Sequence, residues 1–209
     1  MKLKVCGMKF ENNISEISNL NPDFMGFIFW TKSKRFFNEE NINISGEIKK
    51  VGVFVNQRFE LILEKINKYK LDFIQLHGDE TPQFCKRFES YCKVIKVFNI
   101  SKDFDFEKLS PFEEVCDYFL FDTKGDSYGG SGIKFNWEIL KNYNSKKSFF
   151  LSGGIEINDL REIEKIVNYK IPLKGIDINS KFEIKPGLKD FMKVEKLINK
   201  MKKWKFLIM

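Results

Sequence analysis

Eight short apolar runs recur along the chain, and amphipathic segments separate them. The runs are rich in Val, Ile, Phe and Leu, a composition typical of parallel strands that are buried on both faces. The predicted strands span residues 3–6, 25–29, 51–55, 73–76, 94–98, 118–121, 148–151 and 175–178. This alternation predicts an α/β protein with a parallel sheet.

The clearest amphipathic segments carry apolar residues at i, i+3 and i+4, which predicts helices at 59–69, 82–91, 158–167 and 190–204. Eight strands alternating with helices fit either a closed (β/α)8 barrel or an open doubly wound sheet. The strand count favours the barrel. We therefore predict a single (β/α)8 TIM barrel domain over residues 1–209, a length that suits one domain with a sizeable core.

The composition excludes some classes of protein and weakens others. With 43% hydrophobic and 31% charged residues, the chain is neither disordered nor of low complexity. A net charge of +7 could indicate a nucleic acid or an anionic membrane as partner. The lysines are spread among acidic residues, however, and the sequence has no Ala. We interpret the charge as biased residue usage and expect no nucleic-acid and no membrane partner.

The cysteines and the single histidine give little support to a metal site. The cysteines at positions 6, 85, 92 and 116 show no CxxC spacing, and His77 alone cannot complete a Cys/His zinc set. The N-terminus shows no signal-peptide pattern, and no apolar run reaches the ~18 residues of a membrane span. We expect a cytoplasmic protein with reduced thiols.

Chemically useful side chains follow several predicted strands, and in a barrel those strand ends converge on one mouth. Cys6 ends the first strand and Asp122 ends the sixth, with Asp177 on the eighth as the rival carboxylate. A lone Cys is often only a small buried hydrophobe, and a strand-end Asp often caps its loop. His77, at the end of the fourth strand, fits either a general base or a hydrogen-bonded rim residue.

A phosphate site is predicted at the seventh and eighth strand ends. Ser152-Gly153-Gly154 lies between a strand and a helix, where backbone N–H groups can face an anion, and Asn179 and Ser180 follow the eighth strand. Arg35, beyond the second strand, offers a planar fork to a carboxylate or phosphate. The glycine-rich loop at 129–132 is interpreted as a lid or substrate-covering turn.

Short motifs lie along the chain in this order: KVCGM at 4–8, GFIF at 26–29, SKR at 33–35, VGVFVN at 51–56, QLHG at 75–78, FDT at 121–123, GGSG at 129–132, LSGG at 151–154 and KPG at 185–187. Taken together, from residue 3 to about residue 190, they resemble the phosphoribosylanthranilate isomerase family of tryptophan biosynthesis.

The resemblance implies a cofactor-free Amadori rearrangement of a small phosphosugar, N-(5-phosphoribosyl)anthranilate, to 1-(2-carboxyphenylamino)-1-deoxyribulose 5-phosphate. It assigns the general base to Cys6, the general acid to Asp122 and the anthranilate carboxylate to Arg35. It also makes His77 a substrate-binding residue. We expect a monomer or weak homodimer.

The resemblance places the phosphate at Gly153-Gly154 and around Asn179-Ser180. Many members of the family have a glycine-bearing eighth loop, which this chain lacks, so Lys181 is a further source of positive charge there.

Two alternatives stay open at this point. One is another isomerase or aldolase that acts on a phosphosugar. The other is a basic, non-catalytic nucleic-acid-binding module.

Overall fold

Eight parallel strands close into a barrel in the computed structural model, which describes residues 1–44, 46–123 and 134–208, with side chains up to residue 203. Each strand pairs with the next, and β1 pairs in parallel with β8, so the sheet has no open edge. The (β/α)8 prediction is confirmed, and the open sheet is excluded. The strands are β1 (Lys2–Val5), β2 (Phe24–Ile28), β3 (Lys49–Phe54), β4 (Phe73–Leu76), β5 (Lys93–Ile100), β6 (Tyr118–Thr123), β7 (Phe149–Leu151) and β8 (Leu173–Ile178).

Helices of two kinds surround the barrel. The α-helices are α1 (Glu11–Asn19), α2 (Phe59–Tyr69), α3 (Pro82–Lys86), α4 (Leu160–Val167) and α5 (Phe191–Ile208). Short 3-10 helices span Phe106–Phe112, Trp137–Asn142, Ile157–Asp159 and Ser180–Phe182. The crossovers on either side of β6 therefore carry 3-10 helices where the sequence shows no clear amphipathic pattern. A short antiparallel hairpin, β9 (Glu183–Lys185) and β10 (Leu188–Lys189), follows β8.

The predicted helix at 82–91 is shorter than expected. Thr81 caps its start by accepting a hydrogen bond from the Phe84 backbone, but the α-helix ends at Lys86. Beyond this point the backbone bonds run from i to i−3, as in Phe88 N–H to Cys85 C=O at 3.1 Å. This tighter turn still buries Phe88 completely.

The barrel interior is apolar at its base and polar towards its mouth. An apolar cluster fills the interior near the amino ends of the strands; it contains Phe24, Val51, Phe73, Ile95, Val97, Leu120 and Phe150. Because side chains alternate along a strand, Gln75 and Asp122 lie on the same inner face as Phe73 and Leu120, one step closer to the mouth. The apolar base thereby holds the polar layer above it in place.

Helix α1 holds the β9–β10 hairpin against the barrel. The buried Asn13 side chain donates to the Lys189 carbonyl at 3.0 Å and accepts from the Lys189 N–H at 2.7 Å. The hairpin is thereby fixed beside the carboxyl end of β8.

Among the described residues, no helix is both long enough and apolar enough to cross a membrane.

Candidate active site

A pocket at the carboxyl ends of the strands gathers all of the predicted site residues. Its lining includes Cys6, Arg35, His77, Asp122, Gly153, Gly154, Asn179 and Ser180, together with Gln75, Ser152, Asp177 and Lys181. The predicted lid at 129–132 lies outside the described residues.

Cys6 lies beside a fully buried ion pair that the sequence analysis did not identify. The Lys4 ammonium is 2.9 Å from Asp177 Oδ1, and its charge also acts on the Cys6 thiol beside it. Burial raises the pKa of the Cys6 thiol, and the Lys4 charge opposes that rise. For Lys4 itself, burial is the largest single influence and opposes the charge, but Asp177 and Cys6 together outweigh it and raise the pKa of the ammonium.

Gly26 on β2 provides the space for this arrangement. A Cβ atom at this position would lie 2.8 Å from Cys6 Sγ and 3.2 Å from Lys4 Nζ. The missing side chain lets both groups lie against the strand, and any larger residue would displace them.

Asp122 is held across the pocket in a setting that favours its neutral form. Burial raises the pKa of Asp122 to about 6, although the Thr123 N–H donates to Oδ1 at 2.8 Å and lowers it. The nearby Asp177 charge adds to the rise. Such a carboxyl can both give and recover a proton near neutral pH.

His77 faces Asp122, with Nε2 3.6 Å from Oδ2. Burial, with the charges of Lys96 and Lys4, lowers the pKa of His77 to about 3, so the imidazole is neutral. This value disfavours His77 as the general base and agrees with a hydrogen-bonded residue of the rim.

Arg35 is fixed by a carboxylate from the β9–β10 hairpin. Its Nε and Nη2 groups donate to the two oxygens of Glu183 at 2.7–3.1 Å. Lys189 donates to the same carboxylate at 2.7 Å and to Asn179 Oδ1 at 2.7 Å. Although burial favours the neutral acid, Arg35 and Lys189 hold the pKa of Glu183 below its usual range.

This contact defines the orientation of the guanidinium. Glu183 engages one edge of it, through Nε and Nη2, and leaves Nη1 out of the pairing. Arg35 also lines the pocket, so a ligand carboxylate can approach a group whose orientation is already set.

The turn after β7 has the backbone form that an anion site requires. Gly153 and Gly154 both have positive φ, at 91° and 64°. A Cβ at Gly153 would lie 2.2 Å from Thr123 Oγ1 and 3.1 Å from Asp122 Oδ1, so this turn can approach β6 only as glycine. Lys181 also lines the pocket, but its ammonium lies 3.2 Å from Glu156.

Four contributors to the site were missed from the sequence: Lys4, Gln75, Glu183 and Lys189. Lys4 and Gln75 had a usable signal, because each lies two residues before a predicted site residue on the same strand face. Glu183 and Lys189 had none, since their contact with Arg35 depends on how the hairpin folds over the barrel.

The closed barrel and its mouth define a (β/α)8-barrel enzyme. Residues 3–200 match the family model described as "N-(5'phosphoribosyl)anthranilate (PRA) isomerase". The N-(5'-phosphoribosyl)anthranilate isomerase of Parabacteroides distasonis is 44% identical, with 96% of this chain and 93% of the relative covered. That of Phocaeicola vulgatus is 42% identical, with 97% and 98% covered. The chain belongs to this family of isomerases of tryptophan biosynthesis.

A solved structure agrees with the assignment. The phosphoribosyl anthranilate isomerase of Thermotoga maritima is 30% identical, with a TM-score of 0.84 over 97% of this chain and 99% of that one. Membership of the family decides for an enzyme and against the basic, non-catalytic module.

The buried pair beneath Cys6 generates a stability prediction. Lys4→Met leaves the Asp177 carboxylate buried without its cation, and we expect the free energy of unfolding to fall by about 3–5 kcal/mol. In Lys4→Met/Asp177→Asn the orphaned charge is gone, so part of this loss should return. Urea unfolding of the two variants and of Asp177→Asn measures the coupling. Strictly additive losses would show that the two side chains are not energetically paired.

Proposed function

We propose that this chain catalyses the Amadori rearrangement of N-(5'-phosphoribosyl)anthranilate without a cofactor, with Cys6 as general base and Asp122 as general acid. The observation that carries the proposal is one pocket that holds both groups. In it, a buried thiol lies in the field of an ammonium, and a buried carboxyl has a pKa of about 6. A relative that is 26% identical, with a TM-score of 0.81, is solved in complex with reduced 1-(o-carboxyphenylamino)-1-deoxyribulose 5-phosphate.

In the first step the ribose ring opens. The anilino nitrogen forms a double bond to C1 as the bond from C1 to the ring oxygen breaks, and the neutral Asp122 carboxyl protonates that oxygen. The product is a protonated Schiff base. The leaving oxygen would otherwise carry a negative charge, so a carboxyl that is partly protonated near pH 6 suits this role.

In the second step the proton at C2 is removed. The Cys6 thiolate takes it, and the electron pair of the C–H bond forms the C1–C2 double bond of an enolamine, while the nitrogen becomes neutral. Tautomerisation then adds a proton to C1 and removes the proton of the C2 hydroxyl, which gives the ketose. Lys4 stabilises the thiolate that begins this step.

The two ends of the substrate are assigned to different loops of the mouth. The anthranilate carboxylate pairs with Arg35, whose orientation is set by Glu183. The phosphate lies on the Gly153-Gly154 turn beside Asn179 and Ser180, with Lys181 close by. His77 lies next to the acid.

We further propose that residues 1–209 form one domain and that the enzyme acts as a monomer or weak homodimer. The pairing of β1 with β8 supports the first statement, because it joins the two ends of the barrel sequence in one sheet. Sedimentation at several protein concentrations tests the second.

The catalytic assignment predicts that Cys6→Ala and Asp122→Asn each lower kcat by about 10²- to 10⁴-fold, because each removes a proton-transfer group. The change in anthranilate fluorescence follows turnover without added metal or cofactor. Cys92→Ala is the matched control, since this thiol is half-buried and contacts the Leu71 carbonyl away from the pocket. Near-normal turnover by Cys6→Ala would show that another group is the base.

The pH dependence of kcat/KM follows from the same two groups. In the active form of the enzyme, Cys6 is a thiolate and Asp122 is a neutral carboxyl, so the two groups together hold one proton. Below about pH 6 both groups are protonated and the base is lost. Above the raised pKa of Cys6 both are ionised and the acid is lost. We therefore expect a bell with its acid limb near pH 6 and its basic limb above the usual thiol range. A rate that rises as the pH falls below 6 would contradict this scheme.

A substitution at Arg35 distinguishes an enzyme specific for the anthranilate substrate from a general phosphosugar isomerase. Arg35→Met should lower kcat/KM for the natural substrate by about ten- to several hundredfold, through loss of a charge-assisted pair. For an analogue without the ring carboxylate the same variant should change little. Arg58→Met, at an exposed arginine, is the control. Equal losses on both substrates would mean that Arg35 recognises another group.

A further inference from the structure

Gln75, His77 and Asp122 form a line of side chains across the floor of the pocket. Gln75 Nε2 lies 3.4 Å from His77 Nδ1, and His77 Nε2 lies 3.6 Å from Asp122 Oδ2. Gln75 is 1% exposed and Asp122 is 9% exposed, so water competes little for these contacts.

The contact with Gln75 fixes which nitrogen of His77 carries the proton. With its amide nitrogen towards Nδ1, Gln75 only donates there, so Nδ1 accepts and carries no proton, while Gln75 Oε1 has no hydrogen-bond partner among the described residues. The imidazole is neutral, since its pKa is about 3. Its one proton therefore lies on Nε2. That nitrogen is buried and has no hydrogen-bond partner among the described residues.

Lys96 holds the backbone on both sides of His77. Its ammonium donates to the Leu76 carbonyl at 3.3 Å and to the Gly78 carbonyl at 2.7 Å. It also pairs with Glu80 at 3.1 Å. The same charge disfavours a second proton on the imidazole, so His77 is held both in place and in its neutral form.

The two oxygens of Asp122 have different surroundings. Oδ1 accepts from the Thr123 N–H at 2.8 Å, while Oδ2 faces His77 Nε2. Three charged or titratable groups face this carboxyl from other strands of the barrel: Lys4 on β1, His77 after β4 and Asp177 on β8.

We propose that Gln75 and His77 are positioning residues for Asp122. Gln75 holds His77 as the neutral Nε2–H tautomer, and that N–H closes onto Oδ2 once the carboxyl has given up its proton. The N–H then stabilises the carboxylate between ring opening and the return of the proton. This rests on the proposed role of Asp122 as the acid.

The single histidine of the chain makes the tautomer directly measurable. In protein labelled with ¹⁵N-histidine, we expect one neutral imidazole between pH 5 and 8, protonated at Nε2. Its resonances should show one small step near pH 6 as Asp122 ionises, and this step should vanish in Asp122→Asn. A proton on Nδ1, or an imidazolium near pH 6, would overturn the proposal without any measurement of activity.

Gln75→Met tests the same contact kinetically, because methionine has a similar length but no N–H. Both tautomers should then be populated, and kcat should fall about tenfold with little change in KM. Without its donor the carboxylate is less stable, so the acid limb of the kcat/KM profile should move to higher pH by about one unit. Gln83→Met, at an exposed position in α3, is the matched control.

The outcomes separate this proposal from the catalytic assignment. If Asp122→Asn keeps its activity, the assigned acid is wrong, whatever the tautomer of His77. If Asp122→Asn is inactive but Gln75→Met leaves the limb and kcat unchanged, only the positioning role fails. A rise in KM at constant kcat in Gln75→Met would mean that His77 binds substrate instead. If Gln75→Met does not fold, the tautomer of His77 in the unaltered protein still tests the positioning role.

Discussion

The ion pair between Lys4 and Asp177 determines how the barrel interior is used. Two charges with almost no exposure are expensive to bury, and a well-packed apolar pair would often stabilise a fold as well or better. The presence of this ion pair is explained by the neighbouring Cys6. The ammonium that Asp177 holds in the interior also acts on Cys6, and Gly26 leaves room for both. A group that burial would keep as a thiol thus has a charge beside it that favours the thiolate.

A second group of charged side chains, Lys189, Glu183 and Arg35, lies at the edge of the mouth. Lys189 pairs with Glu183, which holds Arg35, and the Lys189 charge also opposes the rise in the pKa of Cys6. Burial lowers the pKa of Lys189 to about 8 even so. The charge that orients the arginine is therefore electrostatically coupled to the proposed base.

The sequence predicted those parts of the molecule whose signals are local. All eight strands were found, because each run carries its own apolar pattern, and the residues at their ends meet in one pocket because a closed barrel requires it. The helix predicted at 82–91 was too long because Cys85 and Phe88 are three residues apart, and this spacing suits an α-helix and a tighter turn equally. The pairs Lys4–Asp177 and Arg35–Glu183 carry no local signal, because 173 and 148 residues separate the partners. The roles of the site residues remain predictions.

These two long-range pairs also determine when the barrel can close during synthesis of the chain. Ribosomes release the chain from its amino end, so Lys4 and Arg35 emerge long before Asp177 and Glu183. Until then, the first strand lacks its neighbour β8, and a lysine that is fully buried in the finished barrel has no carboxylate to accompany it. Water can therefore be excluded from the barrel interior only after β8 has been synthesised. A nascent chain therefore has to keep its first strand solvated until β8 has been synthesised.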